Sequence, residues 1–269
     1  GLSQGEVGYL ATGLKDIGEF PVGDTVTEEA HPALVLLPGY RPVKPMVFAG
    51  LYPTEGGDYP LLREALEKLR LNDASLSFEP ETSAALGFGF RCGFLGLLHM
   101  DVVRERLERE YGLSLLTTVP SVAYQVVTHQ GETVTVDNPS KLPPPINIAE
   151  LLEPWMSISI VTPQRYLGAI MELVTKRRGG FQRMEYLQTE TGTEGVMGAA
   201  RVVLDYDMPL CEMLVDFYDR LKSQSQGYAS LDYNFKDYRA GKLVKLDIVI
   251  NDQPVDALSR IVHADEAYA

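Results

Sequence analysis

From Lys44 to Val127 the spacing of apolar positions alternates between period two and a helical period. The run Pro45–Leu51 suits a strand, and Pro53 with Gly56 and Gly57 breaks it. After Asp58, Leu62, Leu66 and Leu69 recur at spacings of four and three, leaving Arg63, Glu67 and Arg70 toward water. That spacing predicts a helix with one buried face. Leu76 and Phe78 alternate with polar neighbours, as in a half-buried strand, and residues 85–94 read as another extended segment loosened by glycines. A second helix is predicted from Leu95 to Tyr111, with Glu105 and Arg109 one turn apart and Gly112 placed for a left-handed cap. Leu113–Val127 is expected to close the unit as one strand.

The same order returns after residue 153. Met156, Ile158 and Ile160 alternate with Ser157 and Ser159, giving a one-sided strand. Thr162 and Pro163 read as the cap and first position of a helix whose apolar stripe is Leu167, Ile170, Met171 and Val174. Phe181–Gln188 and Ala200–Tyr206 are expected as strands around a glycine-rich turn, Gly192–Gly198. Pro209 is expected to open one helix with Met213, Leu214, Phe217 and Leu221 on a face. Tyr228–Phe235 and Leu243–Ile250 return as strands. Two β-α-β-β-α-β patterns in tandem predict an α+β protein built of two ferredoxin-like sandwich domains, over 44–127 and 154–250. Residues 128–153 between them open with a hairpin that has Val134 and Val136 in its second arm. They then run into Pro143-Pro144-Pro145, which reads as a stiff spacer.

Composition narrows the function classes. The chain has 269 residues, 45% of them hydrophobic, which suits a globular protein and not a disordered one. No apolar run is long enough to span a membrane. The start, Gly1–Gly5, has neither initiator Met nor leader character and reads as an internal cut, so the chain is expected to be a fragment. Cys92 and Cys211 are the only cysteines and form no C-x-x-C pair, which fits a reducing compartment and leaves no structural zinc site. No phosphate-binding loop, H-E-x-x-H or G-x-S-x-G pattern occurs, and His31, His99, His129 and His263 lie far apart. No catalytic residue and no metal ligand is assigned.

The net charge is −13, from 24 Lys and Arg against 37 Asp and Glu, which would repel phosphate at long range. The acidity lies mostly in the two ends and the connector. Between Arg165 and Arg183, by contrast, five cations (Arg165, Lys176, Arg177, Arg178 and Arg183) face Glu172 alone. Lys176, Arg177, Arg178 and Arg183 are therefore the candidate RNA contacts; capping of a helix C-terminus is the competing structural reading. Gly87-Phe88-Gly89-Phe90 matches the middle of an aromatic RNA-binding signature, but Leu86, Arg91 and Gly93 break the match on either side. His99, in an apolar helical setting, reads first as a packing histidine.

Longer motifs carry a resemblance. Leu71–Leu76, Glu79–Ser83, the glycine-rich run Ala85–Met100, Ser225–Tyr233 and Val255–Ser259 closely resemble the LepA, or elongation factor 4, family. These are ribosome-associated translational GTPases similar to elongation factor G. The resemblance implies that residues 1–43, with Gly5–Tyr9 and Val22–Thr25, are the end of a β-barrel domain and a linker. It implies that 44–127 is the family's third domain and 154–250 its fifth. The connector 128–153 is too short for the large fourth domain of elongation factor G, and 251–269 would open the C-terminal domain. On this resemblance the chain is the relay and docking half of a larger protein, with Gly87, Arg91 and His99 as interdomain relay residues. GTP and Mg would be cofactors of the full-length protein, with none held in this chain, which should be inactive alone. The implied partners are the ribosome, its large-subunit RNA and the missing GTPase domain. A monomer is implied, cytoplasmic and peripheral on the cytoplasmic face of the cell membrane. Reverse translocation, initiation and ribosome biogenesis are the roles proposed for the family. The alternatives are a stand-alone ferredoxin-like RNA-binding module using its aromatic sheet, and a pair of small-molecule regulatory domains.

Overall fold

A computed structural model describes residues 44–187 and 200–267, together with 3, 5–9, 11, 13, 23–35 and 37. The expected barrel end over 1–43 falls largely outside the described residues, and the expected turn Gly192–Gly198 falls wholly outside them.

The first unit begins with β1 (Val47–Pro53) and α1 (Tyr59–Asn72), which has Pro60 in its first turn, where a missing N–H costs nothing. Leu62, Ala65, Leu66 and Leu69 are buried, as the spacing predicts; each leucine contributes about 1.5–3 kcal/mol of burial. Next come β2 (Ser77–Ser83), β3 (Gly87–Phe94) and α2 (Leu97–Tyr111). Gly112 ends α2 in the left-handed conformation, at φ 68° and ψ 22°. Phe90, Cys92 and Phe94 of β3 enter the core, where Tyr59 stacks on Phe90 at 4.9 Å between ring centroids.

Leu113–Val127 is not one strand but three: β4 (Leu115–Thr117), β5 (Ser121–Val122) and β6 (Tyr124–Thr128). Pro120 cannot donate to a ladder, so pairing stops and restarts around it. At the gap Thr118 substitutes a side chain for the ladder: its Oγ1 accepts from Gly50 N at 2.8 Å, while its own N–H donates to Gly50 O. The sheet order is β2-β3-β1-β4, all antiparallel, with β5 also on β1. This is the ferredoxin-like order.

β6 leaves that sheet and pairs with β7 (Thr133–Val136) and with the leading end of β8 (Ile148–Pro163). The connector is thus built into the second sheet. Pro144 is extended (φ −55°, ψ 141°), but Pro145–Asn147 turn at once into a 3-10 helix, so no long spacer forms.

Thr162 and Pro163 finish β8, with Thr162 buried opposite Val202, and do not start a helix. A 3-10 turn precedes α3 (Leu167–Lys176), which buries Ile170, Leu173 and Val174. The unit continues with β9 (Gly180–Leu187), β10 (Arg201–Pro209), α4 (Leu210–Met213), α5 (Phe217–Gln224) and β11 (Ser230–Ala240). The single helix expected after Pro209 is split because Asp216 is left-handed, φ 51°. β11 and β10 flank β8, and β9 lies outside β10, repeating the order of the first sheet. The two units are both ferredoxin-like, and the protein is α+β.

Leu243–Ile250 does not join this sheet. β12 (Leu243–Leu246) pairs with β15 (Arg260–His263), and β13 (Val249–Ile250) with β14 (Gln253–Pro254), around Asn251 and Asp252 at φ 51° and 60°. Two positive φ angles are the mark of a tight hairpin turn.

Candidate functional site

The cationic stretch begins at the end of α3. Gly179 N–H donates to Val174 O at 2.9 Å, and a Cβ at Gly179 would overlap Val174 and approach its carbonyl oxygen to 2.7 Å. With Arg178 left-handed at φ 57°, the chain folds back under α3 and turns two guanidinium groups inward. Arg178 grips Glu153 with two bonds, 2.7 and 3.0 Å, and donates Nε to Glu212 Oε1 at 2.7 Å. Glu153 and Glu212 are 1% and 4% exposed. Burial works against the Arg178 charge, but these carboxylates prevail and hold its proton far above the usual range. Burial, then Glu153, pushes the neighbouring Cys211 thiol well up. Arg177 pairs with Asp216 and lies 3.8 Å from Glu212.

Lys176 and Arg183 stay at the surface. Lys176 is 71% exposed and meets Glu172 at 2.7 Å. Arg183 is exposed between Asp205 and Glu185, 3.2 Å from each. The structure therefore does not present the stretch as one basic patch. Arg177 and Arg178 are structural cations, and their partners come from sequence 25 to 39 residues away, which a count along the segment misses.

Gly87, Arg91 and His99 are not brought together. Gly87 ends the β2–β3 turn at φ 79°. Arg91 lies on the face of the first sheet away from the helices, donating to Ser121 Oγ and the Asp137 carbonyl. Burial lowers its pKa, and Glu81 and Asp137 partly restore it. Glu81 accepts from Tyr52 at 2.8 Å and from Asn138, joining the first sheet to the connector. Burial, then Glu81, raises the Tyr52 phenol well above its ordinary value. His99 stays inside the first unit. Its Nε2 is 2.6 Å from Asp73 Oδ2 at the end of α1, and its Nδ1 accepts from Leu95 N at 3.0 Å. Phe94 packs edge-on against its ring. This is the packing role the sequence favours.

The phenylalanines of the Gly87–Phe90 motif do not make an open stacking face on the first sheet. Phe90 is in the core, and Phe88, 66% exposed, has no coplanar partner: its neighbour Tyr59 is tilted by 55°. Sequence reasoning missed the fastening of the C-terminal segment to the first unit. Asp256 accepts from Ser83 Oγ and from Ala84 N of the first unit, while Tyr124 OH, on β6 of the second sheet, donates to Ile261 O at 3.2 Å and ties the segment to that sheet as well. Among the described residues no group of His, Cys, Asp and Glu could hold a metal ion, and no helix is long and apolar enough to cross a membrane.

Residues 150–249 match the family model described as Elongation factor G C-terminus, which coincides with the second unit. Curated proteins named Elongation factor 4 match nearly the whole chain. The one from Microcystis aeruginosa is 56% identical over 99% of this chain and 43% of its own length. That from Clostridium tetani is 55% identical over 100% and 43%, and that from Synechococcus elongatus 54% over 99% and 42%. The chain spans about 43% of the length of the relatives it matches. With that identity sustained from end to end, the chain belongs to the elongation factor 4 family of translation factors.

Proposed function

We propose that this chain is the relay and docking half of a GTP-dependent factor that acts on the ribosome. The observation that carries the reading is the match of the second unit to the C-terminus of elongation factor G, with the first unit and the C-terminal segment fastened to it. The second unit docks on large-subunit RNA, with the exposed Lys176 and Arg183 exchanging their surface ion pairs for phosphate and Arg177 and Arg178 holding the shape behind them. The first unit passes on the nucleotide state through Arg91 and the turn ending at Gly87, which touch the connector and the C-terminal segment, while His99 braces the two helices.

GTP and Mg belong to the part of the full-length family member beyond this chain, because the sequence has no phosphate loop to cradle a nucleotide. The reading carries a cytoplasmic, monomeric factor, and membrane contact would be peripheral. Reverse translocation, initiation and biogenesis are the steps open to it. Sedimentation of the chain with purified large and small ribosomal subunits tests the reading. The chain should pellet with the large subunit and should not bind GTP by itself. Recovery only in the supernatant, or tight saturable GTP binding, would overturn it.

A further inference from the structure

The inward turn of Arg177 and Arg178 leaves the question of where the second unit keeps a cation that the fold does not consume. It lies at the other end of α3, about 15 Å along its axis. Among the described residues Arg165 has no carboxylate partner, and its guanidinium lies 4.8 Å from the Tyr166 ring centroid and 5.2 Å from that of Tyr228. The two rings are nearly parallel, 17° apart, with centroids 6.3 Å apart.

The cluster is held from behind. Tyr166 OH donates to Gln226 Oε1 at 2.8 Å. Gln226 and Gly227 are both left-handed, φ 53° and 82°, so the chain doubles back after α5 and Gly227 N bonds Lys222 O at 2.7 Å. Ser225, fully buried, accepts from Ala229 N at 3.0 Å and fixes the backbone beside Tyr228. Yet the Tyr228 side chain itself is 59% exposed.

A tyrosine held this firmly with its ring in water offers a stacking face. A guanidinium lying on aromatic rings keeps its N–H edge free for bidentate contact with phosphate. We propose that Arg165, Tyr166 and Tyr228 form a platform that takes an unpaired RNA base and its phosphate. An acidic protein surface would engage Arg165 but gain little from the ring, which is why RNA is the favoured partner. The proposal rests on the ribosome-docking reading only for the source of the RNA; the chemistry is that of these side chains.

The test uses the 269-residue chain and a fluorescent RNA stem–loop with an unpaired loop, against a blunt duplex of equal length, from about 50 to 200 mM salt. The stem–loop should bind more tightly than the duplex. Tyr228→Ala should weaken it about 5- to 150-fold with the salt slope unchanged, and Tyr228→Phe should restore binding. Arg165→Ala should lower the salt slope by about 0.7. All three variants change exposed side chains, or in Tyr228→Phe only a hydroxyl, and thermal melts confirm that they fold. No binding, equal affinity for duplex and stem–loop, or full affinity in Tyr228→Ala would overturn the platform. So would displacement of the RNA by polyglutamate equally well from the chain and from Tyr228→Ala, which would point to an acidic protein partner. Ribosomal subunits provide the separating arm. If the large subunit binds but Tyr228→Ala leaves the stem–loop affinity intact, the platform fails and the docking reading survives. If the stem–loop behaves as expected but no subunit binds, the docking reading fails and the platform survives.

Discussion

Ser83 donates its hydroxyl to Asp256 at 2.7 Å, closing a loop of 173 residues between the first sheet and the C-terminal segment. The other carboxylate oxygen accepts from Ala84 N at 3.1 Å, and Ser83 Oγ in turn accepts from Ala85 and Leu86, each at 3.2 Å. The turn before Gly87 thus has its donors satisfied through one remote aspartate. Asp256→Ala should cost about 1–3 kcal/mol, because Ser83 and Ala84 lose their acceptor. Urea unfolding measures the loss. An unchanged midpoint would show that the C-terminal segment does not brace the first unit.

Acid should act at the same point. Burial favours the protonated form of Asp256, but bonds from Ser83, Ala84 and Ala257 prevail and hold its pKa below the ordinary carboxylate value. A carboxylate with a lowered folded pKa contributes stability that is present above its unfolded pKa, about 3.9, and is lost as pH falls through the folded value. Asp73, bonded to Ser75 and His99, and Asp207, bonded to Lys236 and Arg239, are shifted the same way against burial. Stability should therefore fall below about pH 4, and the acid limb should be shallower in Asp256→Ala than in the unsubstituted chain. Parallel limbs would contradict the assignment.

Arg178→Ala should destabilise the second unit by about 3–5 kcal/mol, since it strands Glu153 and Glu212 as buried, unpaired charges. Lys176→Ala, at the surface, should stay within about 0.5 kcal/mol. Denaturant midpoints of the two variants separate the structural from the surface cation. Equal small effects would mean that Arg178 does not hold the unit together.

A Cβ at Gly89 would overlap the Tyr52 ring and lie 2.5 Å from the Leu51 carbonyl oxygen, which belongs to the neighbouring strand. Gly89→Ala should cost about 1–3 kcal/mol through forced backbone movement. Phe88→Ala should cost little, as its ring is largely exposed. Thermal melts decide, and tolerance of Gly89→Ala would show that this close approach is not needed.

What the sequence makes legible is what neighbours in the chain decide. The leucine spacing of α1 and the left-handed cap at Gly112 are local, and both are found where the pattern puts them. The interruption at Pro120 is local too, but its effect depends on β1 offering partners on either side, so the strand around it reads as continuous. The kink at Asp216 leaves no mark in the apolar spacing, because its carboxylate answers to Arg177, 39 residues earlier. The pairing within the cationic stretch is hidden for the same reason: charge counted along the chain cannot register Glu153 or Glu212 folded back onto Arg178. Arg165 belongs to that stretch in sequence, but it sits in the 3-10 turn before α3, at the opposite end of the helix from Lys176 and next to Tyr228.

The affinity of the chain for purified large ribosomal subunits, measured across a salt series, tests the central claim most directly. Docking through phosphate contacts predicts binding that is tighter for the large than for the small subunit and that weakens linearly in log–log form as salt rises. Equal affinity for the two subunits, a slope of zero, or no binding at low salt would contradict it.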